Sequence, residues 1–170
     1  MENELPKRKL LRWRGFDYNR HGTYFVTFCT HERKNTLSHI VGAIHESPAP
    51  ELTEYGNLVE KFIKETEKRF GVSVDRYVIM PNHVHLVLVV EASEECPSIP
   101  PIQARSLLSK IIGYIKANTA KEIHKRDEGV VIWQRGFYDR VVRNREEYNE
   151  IIKYIRENPL CWQMGIAEDW

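Results

Sequence analysis

The sequence predicts an α+β fold of the split βαβ, ferredoxin-like kind: an antiparallel four-stranded sheet with helices packed on one face, plus one additional C-terminal helix. Two observations predict it. Aromatic and β-branched runs that suit strands stand near residues 22–30, 74–80, 84–90 and 130–142. Apolar residues recur at helical spacing over 54–70, 105–123 and 145–158. The elements therefore follow the order strand, helix, strand, strand, helix, strand, helix. A chain of 170 residues suffices for one domain with its own core and leaves little for a second. Residues 1–170 are accordingly taken as a single domain, in which 1–21 form a basic N-terminal arm.

"GTYFVTFCT" (22–30) places Tyr24, Val26 and Phe28 on one strand face and Phe25, Thr27 and Cys29 on the other. "HESPAPEL" (45–52) reads as a surface loop. Between Glu54 and Phe70, Leu58, Val59, Phe62 and Phe70 line one side of an amphipathic helix. "VDRYVIM" and "VHLVLVV" form a hairpin around Pro81 and Asn82, a pair suited to a turn and not to a strand interior. "EASEECPSIPPIQA" (91–104) is a second loop, followed by a helix from Arg105 to Ile123 built on Leu107, Leu108, Ile111, Ile112 and Ile115. "VVIWQRGFYDRVV" is the fourth strand, with Gly136 a candidate break. "REEYNEIIKYIREN" has acids in its first turn and is expected to stop before Pro159.

Lys and Arg total 25 against 24 Asp and Glu, so the net charge of +1 argues neither for nor against a polyanionic partner. Distribution is more informative. "KRKLLRWR" holds Lys7, Arg8, Lys9, Arg12 and Arg14 with no acid, and "RGFYDRVVRNR" sets Arg135, Arg140, Arg143 and Arg145 against Asp139. Trp13, Phe137 and Tyr138 interleave with them, so that arginines on phosphates and rings on bases could grip a single strand. A solvated charged face would carry the same pattern. The charged N-terminus has no apolar leader, and no run nears the ~18 apolar residues of a membrane helix, which leads us to expect a soluble, cytoplasmic protein. Cys29, Cys96 and Cys161 are odd in number and form no CxxC, which argues against a disulfide framework.

His83 and His85 flank Val84 on a predicted strand. Side chains two apart share a face about 7 Å from one another, so both imidazoles can converge on one ion while Val84 enters the opposite layer. Two half-exposed histidines on a polar sheet face are the plain alternative. A zinc site that adds Cys29 and His31 is a third, although the spacing matches no closed zinc motif. Two histidines leave a metal short of ligands. On the last helix Tyr154 and Asn158 stand at i and i+4 and lie on one face, although packing and helix termination explain them equally well. Tyr148 lies about 240° around that helix from Tyr154.

"PNHVHLVL" followed by "VIWQRGFYDRVVRNREEYNEIIKYIRENP" resembles the HUH transposases with a single catalytic tyrosine, notably the REP-associated tyrosine transposases and their insertion-sequence relatives. The resemblance runs from about residue 15 to 162 and includes the ferredoxin-like core. It implies that His83 and His85 bind a divalent metal, Mg2+ or Mn2+, with Asn158 as the third protein ligand, and that Tyr154 is the nucleophile. The implied activity is single-stranded DNA nicking and strand transfer at hairpin-associated sites through a 5′-phosphotyrosine link. The implied partner is single-stranded DNA with a hairpin, held in part by Lys9, Arg12, Arg14, Arg135, Arg140 and Arg143. A monomer is favoured over a homodimer with exchanged tyrosine helices. The alternative is a DNA-hairpin-binding or regulatory protein that keeps the fold without catalysis. The stretch between the first strand and the first helix is longer than in the most compact members.

Overall fold

The computed structural model describes residues 21–42, 47–91 and 106–166. Among these residues, six strands and three α-helices follow one another as β1 (Gly22–Cys29), β2 (Ser38–Val41), β3 (Ala49–Leu52), α1 (Glu54–Phe70), β4 (Val72–Ile79), β5 (His83–Val90), α2 (Leu107–His124), β6 (Tyr138–Val142) and α3 (Arg145–Gln163). The main sheet is antiparallel in the order β4-β5-β1-β6, the ferredoxin-like arrangement. Strand alternation sorts its two faces. Tyr24, Val26, Phe28, Val84, Leu86 and Leu88 pack with Val59, Phe62 and Ile63 of α1 and Ile111, Ile112 and Ile115 of α2. On the reverse face Phe25, Val78, Met80 and Val87 pack with Ile151 and Ile155 of α3.

Each helix starts on a side-chain cap. Thr53, Ser106 and Asn144 accept the amide protons of Gly56, Ser109 and Glu147 respectively. α1 ends at Gly71, whose φ of 62° is the left-handed value that closes a helix. Gly56 serves close approach instead. A Cβ there would lie 2.1 Å from the Leu37 carbonyl oxygen, so only glycine lets the first turn of α1 pass this backbone. No helix among the described residues is long and apolar enough to cross a membrane.

Three expectations need correction. The stretch taken as a loop at 45–52 contains β3, which pairs with β2 in a separate two-stranded sheet, Ile40 opposite Pro50. Proline is tolerated there because a two-stranded ribbon is all edge. The fourth strand spans Tyr138–Val142 and not 130–142; before Gly136, at φ 82°, only Trp133 bridges to Thr30. α3 does not stop before Pro159 but runs on to Gln163. Pro159 removes one amide from the ladder, yet Gly165 (φ 66°) supplies the actual stop, with the Gly165 amide bonded to the Trp162 carbonyl and that of Ile166 to Cys161. The extra turns place Trp162 beside His83, ring centroids 6.1 Å apart.

Candidate active site

The site forms where β5 leaves its turn. The Met80 amide bonds the His83 carbonyl at 2.8 Å, and the Pro81 carbonyl accepts from Thr36 and Leu37 at 2.9 and 3.0 Å, which fixes where β5 begins. Cross-strand register sets Thr27 opposite His85 and Cys29 opposite His83, so these four side chains share the face that α3 partly covers. The histidine rings lie 4.6 Å apart, centroid to centroid, and are 4% and 2% exposed. They are therefore not the half-exposed pair of the plain alternative.

Each ring is held through Nδ1. His83 Nδ1 donates to Asn82 Oδ1 at 2.7 Å, and His85 Nδ1 meets Thr27 Oγ1 at 2.8 Å. With Nδ1 as donor, Nε2 of each ring keeps its lone pair, the state a metal ligand requires. Burial pushes the His83 pKa down to about 4, helped by the positive charge of Arg33 and opposed by a polar contact with Asn158. Burial lowers His85 well below its ordinary value too, with the His83 and Arg33 charges acting in the same direction. Both rings are thus neutral at pH 7.

α3 brings the remaining groups. The Tyr154 hydroxyl lies 3.1 Å from His85 Nε2, and its ring packs edge-on against Phe25 at 6.2 Å. Phe25 also stacks on His85 at 5.4 Å, so one aromatic side chain orients both partners. One turn later Asn158 is fully buried next to His83. Tyr148, by contrast, donates its hydroxyl to Asp75 of β4 at 2.7 Å. The set His83, His85, Tyr154 and Asn158 therefore comes together, and within one chain.

Two neutral imidazoles and an amide suit a divalent cation whose charge is to remain available to an anionic substrate. Among the described residues no group of three or more His, Cys, Asp or Glu side chains could hold a metal, so the Cys29 and His31 zinc arrangement finds no support. Burial raises the Cys29 thiol pKa, although the Arg33 and Lys116 charges oppose this.

The arginines divide. Arg135 is exposed, in a loop whose carbonyls at Gln134 and Gly136 both accept from Lys116 Nζ, at 2.6 and 2.7 Å. Arg140 lies opposite Phe25 on the site face and is paired with Glu147 of α3. Arg143 is exposed just before the Asn144 cap. Lys9, Arg12 and Arg14 lie outside the described residues.

The family model for the IS200-like transposases matches residues 20–158, a span that contains the whole histidine, tyrosine and asparagine set. The chain belongs to the IS200-like transposase family. An uncharacterised protein of Haemophilus influenzae is 26% identical to it over 94% of this chain and 92% of the relative. A second protein of that organism, provisionally named a REP-associated tyrosine transposase, is 22% identical over 91% of this chain and 80% of its own length. The fold is also that of a REP-associated tyrosine transposase solved bound to a REP hairpin: the TM-score is 0.62 at 18% identity, over 92% of this chain and 75% of that one.

Sequence reasoning missed Thr27, Asn82 and Trp162. Thr27 carries no signal until the β1–β5 register is known. Asn82 was visible only as a turn former, and Trp162 lay beyond the expected helix end.

Proposed function

We propose that this transposase-family protein nicks and rejoins single-stranded DNA at hairpin-associated sites, with Tyr154 as nucleophile. The observation that carries this reading is the Tyr154 hydroxyl 3.1 Å from Nε2 of a buried, neutral His85, with His83 and Asn158 alongside. A tyrosine retained only for packing would keep its hydroxyl away from the histidine pair.

The phenol oxygen attacks the phosphorus, the bond to the 3′ oxygen breaks, and the products are a 5′-phosphotyrosine ester and a free 3′-hydroxyl. The ester keeps the bond energy for rejoining, so no nucleotide cofactor is required. Edge packing on Phe25 limits the motion of the Tyr154 ring and thereby the approach of its oxygen. His83 and His85 through Nε2, with Asn158, would hold the Mg2+ or Mn2+ ion, which supplies positive charge to a non-bridging phosphate oxygen. Asn82 and Thr27 keep both rings turned for that task. Because one chain supplies every member of the set, a monomer suffices. Arg135, Arg140 and Arg143 are assigned to the DNA backbone, along with Lys9, Arg12 and Arg14 of the N-terminal arm.

The test incubates the protein with Mn2+ and labelled hairpin DNA whose flanking sequences are randomised. A covalent protein–DNA adduct that vanishes in Tyr154→Phe is expected. An adduct that persists in this variant contradicts the assignment.

A further inference from the structure

Among the described residues, Glu32 and Arg33 are the non-glycine residues with positive φ, at 54° and 55°. L-residues adopt this left-handed region at an energetic cost, and adjacent instances persist only where the surroundings enforce them. The surroundings here are specific. The His31 amide bonds the Ile132 carbonyl at 2.9 Å, the Arg33 amide bonds the Thr30 carbonyl at 3.2 Å, and the Lys34 amide bonds the His31 carbonyl at 3.2 Å. The buried Thr30 hydroxyl lies within hydrogen-bond distance of the carbonyls of Lys34, at 2.8 Å, and Asn82, at 3.0 Å. Asn82 is the residue whose side chain holds His83, so the turn is fastened directly to the histidine turn.

The charges of the turn are sorted. Glu32 takes Lys34 at 3.0 Å and lies 3.7 Å from His31, whereas no carboxylate among the described residues pairs with the exposed Arg33. Cys29 lies opposite His83 and the Thr30 amide bonds the Asn82 carbonyl at 2.9 Å, so the turn carries Arg33 beside the start of β5, and its positive charge acts on both imidazoles. With a divalent cation held by the two neutral imidazoles, Arg33 would face a second positive charge, a repulsion that an anion bridging the two would relieve. A phosphodiester at Tyr154 would be that anion.

We propose that Arg33 is a catalytic residue of strand transfer, binding a non-bridging oxygen of the phosphate that Tyr154 attacks and stabilising the charge that builds there. This rests on Tyr154 being the nucleophile. A guanidinium suits the role because its planar N–H groups match phosphate oxygens in pairs and it stays charged at every working pH.

Arg33→Gly removes the charge while favouring the left-handed backbone, and Arg33→Lys keeps a charge without the fork. Single-turnover adduct formation is measured for both beside wild type and Tyr154→Phe, with DNA Kd and Tm for each. Arg33→Gly is expected to slow adduct formation by about 100-fold or more, the usual effect of losing one transition-state donor. Its Kd should change little, its Tm should not fall, and Arg33→Lys should recover part of the rate. A methylphosphonate at the scissile position, which lacks the charged oxygen, should shrink the gap between wild type and Arg33→Gly. Wild-type rates in Arg33→Gly, or a loss explained wholly by weaker DNA binding, overturn the role of Arg33 alone. An adduct that survives Tyr154→Phe overturns the nucleophile, and the role of Arg33 with it.

Discussion

Acidifying the metal-free protein from pH 7 to pH 5 is expected to lower its stability by about 2 kcal/mol through His83 alone. The ring is 4% exposed, and burial pushes its pKa down to about 4. In the unfolded chain the same ring titrates near ~6.5. Between these values the unfolded state binds a proton that the folded state refuses, so stability is full above the unfolded pKa and falls as pH drops toward the folded one. At pH 5 the proton uptake favours the unfolded chain by a factor of about 30, against about 1.3 at pH 7; at ~1.4 kcal/mol per tenfold, the difference is about 2 kcal/mol. His85 shifts in the same direction and adds to the loss. The carboxylates of Glu60 and Glu122 are shifted downward by Lys64 and Lys125, so their contributions are lost only below this window. Urea unfolding in the presence of a chelator at both pH values measures the effect, and His83→Gln should show a shallower fall. Equal or greater wild-type stability at pH 5 would refute the claim that the imidazoles are buried and neutral.

Thr27→Val leaves the buried His85 Nδ1 without its partner and should cost about 1–3 kcal/mol of stability, seen as a lower Tm, and weaken Mn2+ binding about 10–100-fold by calorimetric titration. Gly56→Ala drives a Cβ against the Leu37 carbonyl and should destabilise by about 1–3 kcal/mol in denaturant unfolding, without altering the relative rates of DNA reaction steps. Mixing His83→Ala with Tyr154→Phe should restore no adduct formation, because each chain completes its own site; recovery on mixing would instead indicate α3 exchanged between copies.

The sheet, the three main helices and the pairing of His83 with His85 were legible because they depend on local periodicity. β5 is buried on both faces, but His83 and His85 stand two residues apart, and the two-residue period of a strand sets them on one face and Val84 on the other without knowledge of its neighbours. What was not legible depends on contacts distant in sequence. β2 and β3 are short, and Pro48 and Pro50 disguise the second of them. Pro159 is a strong local stop signal, yet Asn158 and Pro159 are both buried within a helix that continues to Gln163. Thr27 needs the β1–β5 register, and Arg33 needs a left-handed turn, before either comes near the histidines. Tyr154 and Asn158 shared a helix face in the sequence, but their approach to His85 and His83 is a tertiary fact.

The most direct measurement is peptide mapping by mass spectrometry of the protein trapped on cleaved hairpin DNA. The account predicts a 5′-phosphonucleotide on Tyr154, with wild-type yield in Tyr148→Phe. A nucleotide carried by Tyr148, Tyr138 or any other side chain would contradict it.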